Sequence, residues 1–231
     1  MAEVVMIMGE SGSGKSASLR NFEPGEVCVL NVAGKKLPFR NQFGRNVIDN
    51  ADYGTIVRAV RCGRWSRYVV DDAQYLMAFE AFRRAQEQGW NKYVEMAQNF
   101  YQLLRDCEQA TLTIKNPNGT YTNTGKPLKN TIVYFLQHVD RDEQGIVKPK
   151  TQGRMIDEKL NLAGLFTTVL MAQTDGKDYW FQTRNDGASV VKSPMGMFSE
   201  AQIPNDLKFV DTVIREYYGM EREDHFNVQT K

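Results

Sequence analysis

Residues 6–19 read MIMGESGSGKSASL, and the fold turns on how that stretch is understood. Gly9, Gly14, Lys15 and Ser16 match G-x-x-x-x-G-K-[ST], the spacing at which a glycine-rich loop turns successive backbone N–H groups toward phosphate oxygens. In such a loop the lysine reaches the outer phosphates and the hydroxyl ligates magnesium. The candidate binding residues are therefore Gly9, Glu10, Ser11, Gly12, Ser13, Gly14, Lys15, Ser16 and Ala17, with ATP and Mg2+ as the implied ligands. VVMIM at 4–8 is a short apolar run of the kind a buried parallel strand shows, and ASLRNF at 17–22 begins helically. The loop is thus expected to open onto a helix N-terminus, whose dipole favours anions. A plain Gly/Ser turn accounts for the glycines but not for the lysine and serine at this spacing.

Outward from the loop, 231 residues suit one large α/β domain, expected over 1–220 with a loose tail at 221–231. Charge is balanced, 29 Lys+Arg against 28 Asp+Glu, so any contact with nucleic acid must be local. Three cysteines at wide spacing and two histidines give no zinc pattern. The chain starts on a strand and no apolar run approaches the ~20 residues of a membrane span, so the expectation is a cytoplasmic protein without membrane contact.

VCVLNV at 27–32, NVID at 46–49, RYVVDD at 67–72 and TIVYFLQHVD at 131–140 read as strands, with LFTTVLMAQ, DYWFQTR and ASVVK closing the series. YGTIVRAVRC, the stretch 74–107 interrupted near Gly89, and DLKFVDTVIREYYG read as helices. Residues 111–130 resemble a hairpin insertion, and 139–158 form a long polar loop. Alternating strands and helices predict a mainly parallel sheet with an antiparallel C-terminal extension.

Magnesium bridging phosphates requires a carboxylate at the end of a neighbouring strand, and Asp71 is that candidate beside Ser16. Asp72 either polarises the attacking water or caps the next helix. The interval between Lys15 and Asp71 leaves room for a sheet in which another strand separates theirs. Gln137 and His138 end the strand TIVYFL as a polar pair, and a histidine at a strand end is often only a hydrogen-bonded surface residue. There is no guanine-specifying N-K-x-D.

GESGSGKS, LNVAGKKLPF, YVVDDAQYL, the strand ending QH, and the closing YWFQTR, VVKSPMGMF and IPNDL together resemble the ATP-binding, RecA-like core proteins of phages, a group that includes single-strand annealing recombination proteins. The resemblance spans most of the chain. It implies a three-layer RecA-like P-loop NTPase, hydrolysis of Mg-ATP, a homo-oligomeric ring or filament, single-stranded DNA and a phage single-stranded-DNA-binding protein as partners, and the host cytoplasm. It further implies catalytic roles for Lys15, Asp72, Gln137 and His138, and a charge supplied across a subunit interface by Lys192 or Arg184. Lys148, Lys150 and Arg154 lie where such proteins place a DNA-contacting loop, and Tyr121 and Lys126 sit in the insertion. One departure stands out: RecA-type enzymes end the second strand with a water-activating Glu, and here LNVAG offers Asn31. The competing functions are an ATP-driven switch or motor acting on protein partners, in genome packaging or replication loading, and a nucleotide-binding structural subunit that hydrolyses little.

Overall fold

The apolar run at the start of the chain becomes β1 (Glu3–Gly9), and strands flank it on both sides in a nine-stranded sheet. In the computed structural model, residues 1–40, 43–152, 157 and 160–220 are described. Arg154 and the tail at 221–231 lie outside them. The sheet continues with β2 (Cys28–Asn31), β3 (Val47–Asp49) and β4 (Arg67–Asp71); β5 (Thr111–Lys115) and β6 (Tyr121–Pro127) form a separate antiparallel hairpin. Beyond the hairpin come β7 (Ile132–Arg141), β8 (Val147–Pro149), β9 (Thr168–Thr174), β10 (Tyr179–Gln182) and β11 (Gln202–Pro204). The order is β11-β10-β9-β1-β7-β4-β2-β3, with β8 paired to β7. From β9 across to β3 every neighbouring pair is parallel, whereas β10 and β11 extend the sheet antiparallel. This is an α/β fold with a mostly parallel central sheet. β7 separates β1 from β4, so the inserted strand comes from 132–141 and not from the interval between Lys15 and Asp71.

Strand alternation sends side chains to two cores. Met6, Met8, Leu30, Val70 and Phe135 face α1 (Tyr53–Arg61), α2 (Gln74–Arg83) and α3 (Asn91–Glu108). Val5, Ile7, Val69 and Leu136 face α4 (Leu207–Tyr218) and a short 3-10 helix at Ser16–Asn21. Asp206 caps α4 by accepting from the N–H groups of Lys208 and Phe209, and Gly219 ends it at φ 62°, a conformation glycine adopts without strain. A buried charge ties α4 to the sheet. Asp211 accepts from Arg67 Nε at 2.6 Å, Arg215 Nε at 2.8 Å and the Tyr134 hydroxyl at 2.9 Å, while Arg215 also donates to the carbonyls of Ser66 and Asn130.

Three expectations change. The helix after the glycine-rich loop is six residues of 3-10 type, ended as Phe22 turns extended ahead of Pro24. Its dipole is correspondingly short. ASVVK is not a strand: Ser189 bridges Val147 and Lys192 bridges Val169, because β10 already occupies the outer edge of β9 from Met171 to Thr174. The third closing strand is β11. Part of the polar stretch at 139–158 folds back as β8 against β7. Among the described residues no helix is long and apolar enough to cross a membrane.

Candidate functional site

In a parallel sheet, the carboxyl ends of adjacent strands open onto one edge, and binding crevices form there. At that edge Gly9 ends β1 so tightly that a Cβ would lie 2.5 Å from Ser13 Oγ and 2.7 Å from the Ala172 carbonyl. Gly14 turns at φ 93°, and a Cβ there would press on Tyr179 and Asn205 at 3.0 Å. Glycine is therefore required at both ends of the loop. Lys15 is 5% exposed, and its ammonium donates to the carbonyls of Gly9 at 2.8 Å and Glu10 at 2.7 Å. Burial lowers its pKa to about 8, against the upward pull of Asp72, Asp71 and Glu10.

Ser16 Oγ donates to Asp71 Oδ1 at 2.8 Å, joining the loop to the end of β4 across β7. Burial raises the Asp71 carboxyl to about 6, with the Ser16 bond acting in the opposite direction. A hydroxyl and a carboxylate this close are hard oxygen donors suited to magnesium shared with substrate phosphates. No group of three or more His, Cys, Asp or Glu able to hold a metal by itself occurs among the described residues. These residues fit an ion that a nucleotide helps to hold.

Asp72 follows at φ 58°, a left-handed conformation that Asp tolerates better than most residues. Its Oδ2 meets Lys35 Nζ at 3.0 Å; its Oδ1 meets His138 Nε2 at 3.2 Å and accepts from Gln74 Nε2 at 3.3 Å. Burial opposes ionisation, but the bonds from His138, Lys35 and Gln74 outweigh it and hold Asp72 well below the usual carboxylate range. Such a carboxylate is a weak proton acceptor, which tells against the water-activating role. Nor does it cap a helix: α2 begins after Ala73 with no side-chain cap.

The two strand-end polar residues part company, because successive side chains on β7 point to opposite faces. His138 faces the crevice, its ring edge-on to Tyr75. Gln137 is fully buried on the other face, donates to the Lys150 carbonyl, and has an unpartnered buried Oε1. The Lys150 N–H in turn bonds the His138 carbonyl at 2.7 Å.

The crevice is an open space of about 470 Å³. Its walls bring together the loop from Ser11 to Ala17, Asp71, Asp72 and His138 with three residues sequence reasoning passed over: Lys35, Lys36 and Tyr179. Their signal was positional, since a lysine pair shortly after the end of β2 must emerge at the same edge as Gly9. Asn31, at the place the resemblance reserves for Glu, donates to the Lys35 carbonyl at 2.7 Å and to Asp49 Oδ1 at 2.6 Å.

The other candidates lie outside the crevice. Lys148 is paired with Asp157 at 2.7 Å, and Lys150 has an exposed side chain. Arg184 donates to the carbonyls of Phe198 and Ser199 at 3.0 and 2.7 Å. Lys192 bridges Val169, which pairs with Met6, three residues back from Gly9 along β1.

No protein-family model matches the chain. Over 95% of its length it is 26% identical to a protein of Neisseria gonorrhoeae named "Nucleotide-binding protein", covering 71% of that protein. With the same coverage it is 25% identical to similarly named proteins of Neisseria meningitidis serogroups B and C.

Proposed function

We propose that the chain is a RecA-like P-loop protein that binds ATP with Mg2+ and hydrolyses it. The observation that carries this reading is the Ser16–Asp71 hydrogen bond of 2.8 Å, made between neighbours of the inserted strand β7. It pairs a loop hydroxyl with a strand-end carboxylate in the arrangement that P-loop ATPases use. The relatives' names support nucleotide as the ligand class. Bound magnesium would supply charge neutralisation between the outer phosphates. Loop N–H groups and Lys15 would take the phosphate oxygens, the lysine leaving its two carbonyl partners to do so. With Asn31 in place of a glutamate and Asp72 already engaged, intrinsic turnover is slow.

Titration calorimetry with ATP and MgCl2 tests the site. Wild-type protein should bind, and Lys15→Ala should lose at least tenfold in affinity; Lys35 in the same crevice keeps the loss from being total. Equal affinity in the two proteins would remove the reading.

The resemblance carries the proposal further, to annealing of single-stranded DNA in phage DNA metabolism. Support in the fold is the hairpin, whose β6 is exposed throughout and carries Tyr121, 69% exposed and in register with Lys115, at one end and Lys126 toward the other. Aromatic stacking with a few cations suits single strands. Filter binding should show preference for single- over double-stranded DNA and a steep fall with salt. Absence of DNA binding with and without ATP would favour the switch or motor acting on protein partners.

A further inference from the structure

We propose that Lys35, paired with Asp72 in this structure, is a second phosphate-binding cation that is transferred to the terminal phosphate when a nucleoside triphosphate enters the crevice. The inference rests on the nucleotide-site reading and adds to it the residue that would distinguish triphosphate from diphosphate.

Four observations lead there. Lys35 lines the same crevice as Lys15, Ser11 and Gly12, and lies near enough to Lys15 for the two charges to repel. Its backbone is fixed: Gly34 turns at φ 65°, and Asn31 at the end of β2 holds the Lys35 carbonyl. The side chain, by contrast, is 60% exposed and rests on two partners, Asp72 Oδ2 at 3.0 Å and the face of Tyr75 with its ring centroid at 4.7 Å. Asp72 is 13% exposed while the lysine end of the pair is open to water, so this single contact is what an entering phosphate has to replace. Finally, Asp72 has partners besides Lys35. His138 and Gln74 both remain on Oδ1 after Lys35 has left Oδ2, so the carboxylate is not stranded. An anchored backbone, an exposed side chain and a carboxylate with other partners make a cation that can change hands. A terminal phosphate, more highly charged than a carboxylate, is the stronger acceptor.

The experiment compares binding of ADP and of the non-hydrolysable triphosphate adenylyl-imidodiphosphate by calorimetry, in magnesium buffer. In wild-type protein the triphosphate analogue should bind more tightly. Lys35→Ala should cut that preference about tenfold while ADP affinity changes less than twofold. Because removing Lys35 also exposes the charge of Asp72, the same substitution is made in Asp72→Asn. If Lys35 touches phosphate, the loss persists there; if Lys35 only masks Asp72, it disappears and the proposal falls. Lys36→Ala should leave the preference intact, and a loss there in place of Lys35→Ala would overturn the assignment. Wild-type protein that bound neither ligand would sink the nucleotide site itself, whereas binding with a preference that Lys35→Ala leaves unchanged would sink Lys35 alone.

Discussion

Asp71 is 6% exposed, and burial above all pushes its carboxyl up to about 6. The folded protein therefore holds this proton more tightly than the unfolded chain, in which Asp titrates near 3.9. Stability from the group is present in full below about pH 4 and is lost as pH rises through about 6. Asp71→Asn should stabilise the ligand-free protein at pH 7.5 by on the order of 2–3 kcal/mol and change it little at pH 4. Urea unfolding at the two pH values checks this, and an equal effect at both would place the cost elsewhere. Lys15 is held in the same way, its charge opposed by burial. Burial thus opposes the charge of both residues, a perturbation often found where a site is shaped for a ligand.

At the scale of elements, α4 is the best-anchored helix. Asp211 is 1% exposed between Arg67, Arg215 and Tyr134, and Arg215 is itself 2% exposed. Asp211→Ala leaves a buried guanidinium without its carboxylate and should cost roughly 3–5 kcal/mol, read as a lower denaturant midpoint. Loss below 1 kcal/mol would mean that water replaces the carboxylate at no great cost. Much of this architecture was legible in the sequence, because buried parallel strands are apolar through their middles and the runs at 4–8, 27–30, 68–70 and 132–136 carry that mark. ASVVK carries it too, yet whether a run becomes a strand depends on a free neighbouring edge, which no local pattern reveals. The site divides likewise. Lys15, Ser16 and Asp71 follow from spacing and strand ends, but Tyr179 reaches the crevice only through the order of strands, and the partners of Asp72, Lys35 and His138, lie 37 and 66 residues away in sequence.

For the molecule as a whole, the trans role proposed for Lys192 makes assembly part of the chemistry. Mixing a Lys15→Ala protein with a Lys192→Ala protein should restore some ATPase activity, since the first donates an intact Lys192 to the second's intact loop. No recovery at any ratio, with co-assembly confirmed by sedimentation, would leave Lys192 as a sheet residue bridging Val169. The flanked position of β1 has a consequence in time. Met6 pairs with Phe135 on one side and Val169 on the other, so β1 has no partner in the sheet until β7, well over a hundred residues later in the sequence, has also been made. At about 5–20 residues per second, that wait lasts on the order of ten seconds. Throughout it VVMIM is a bare apolar strand with two open edges, and its protection falls to whatever the cell places at the tunnel exit.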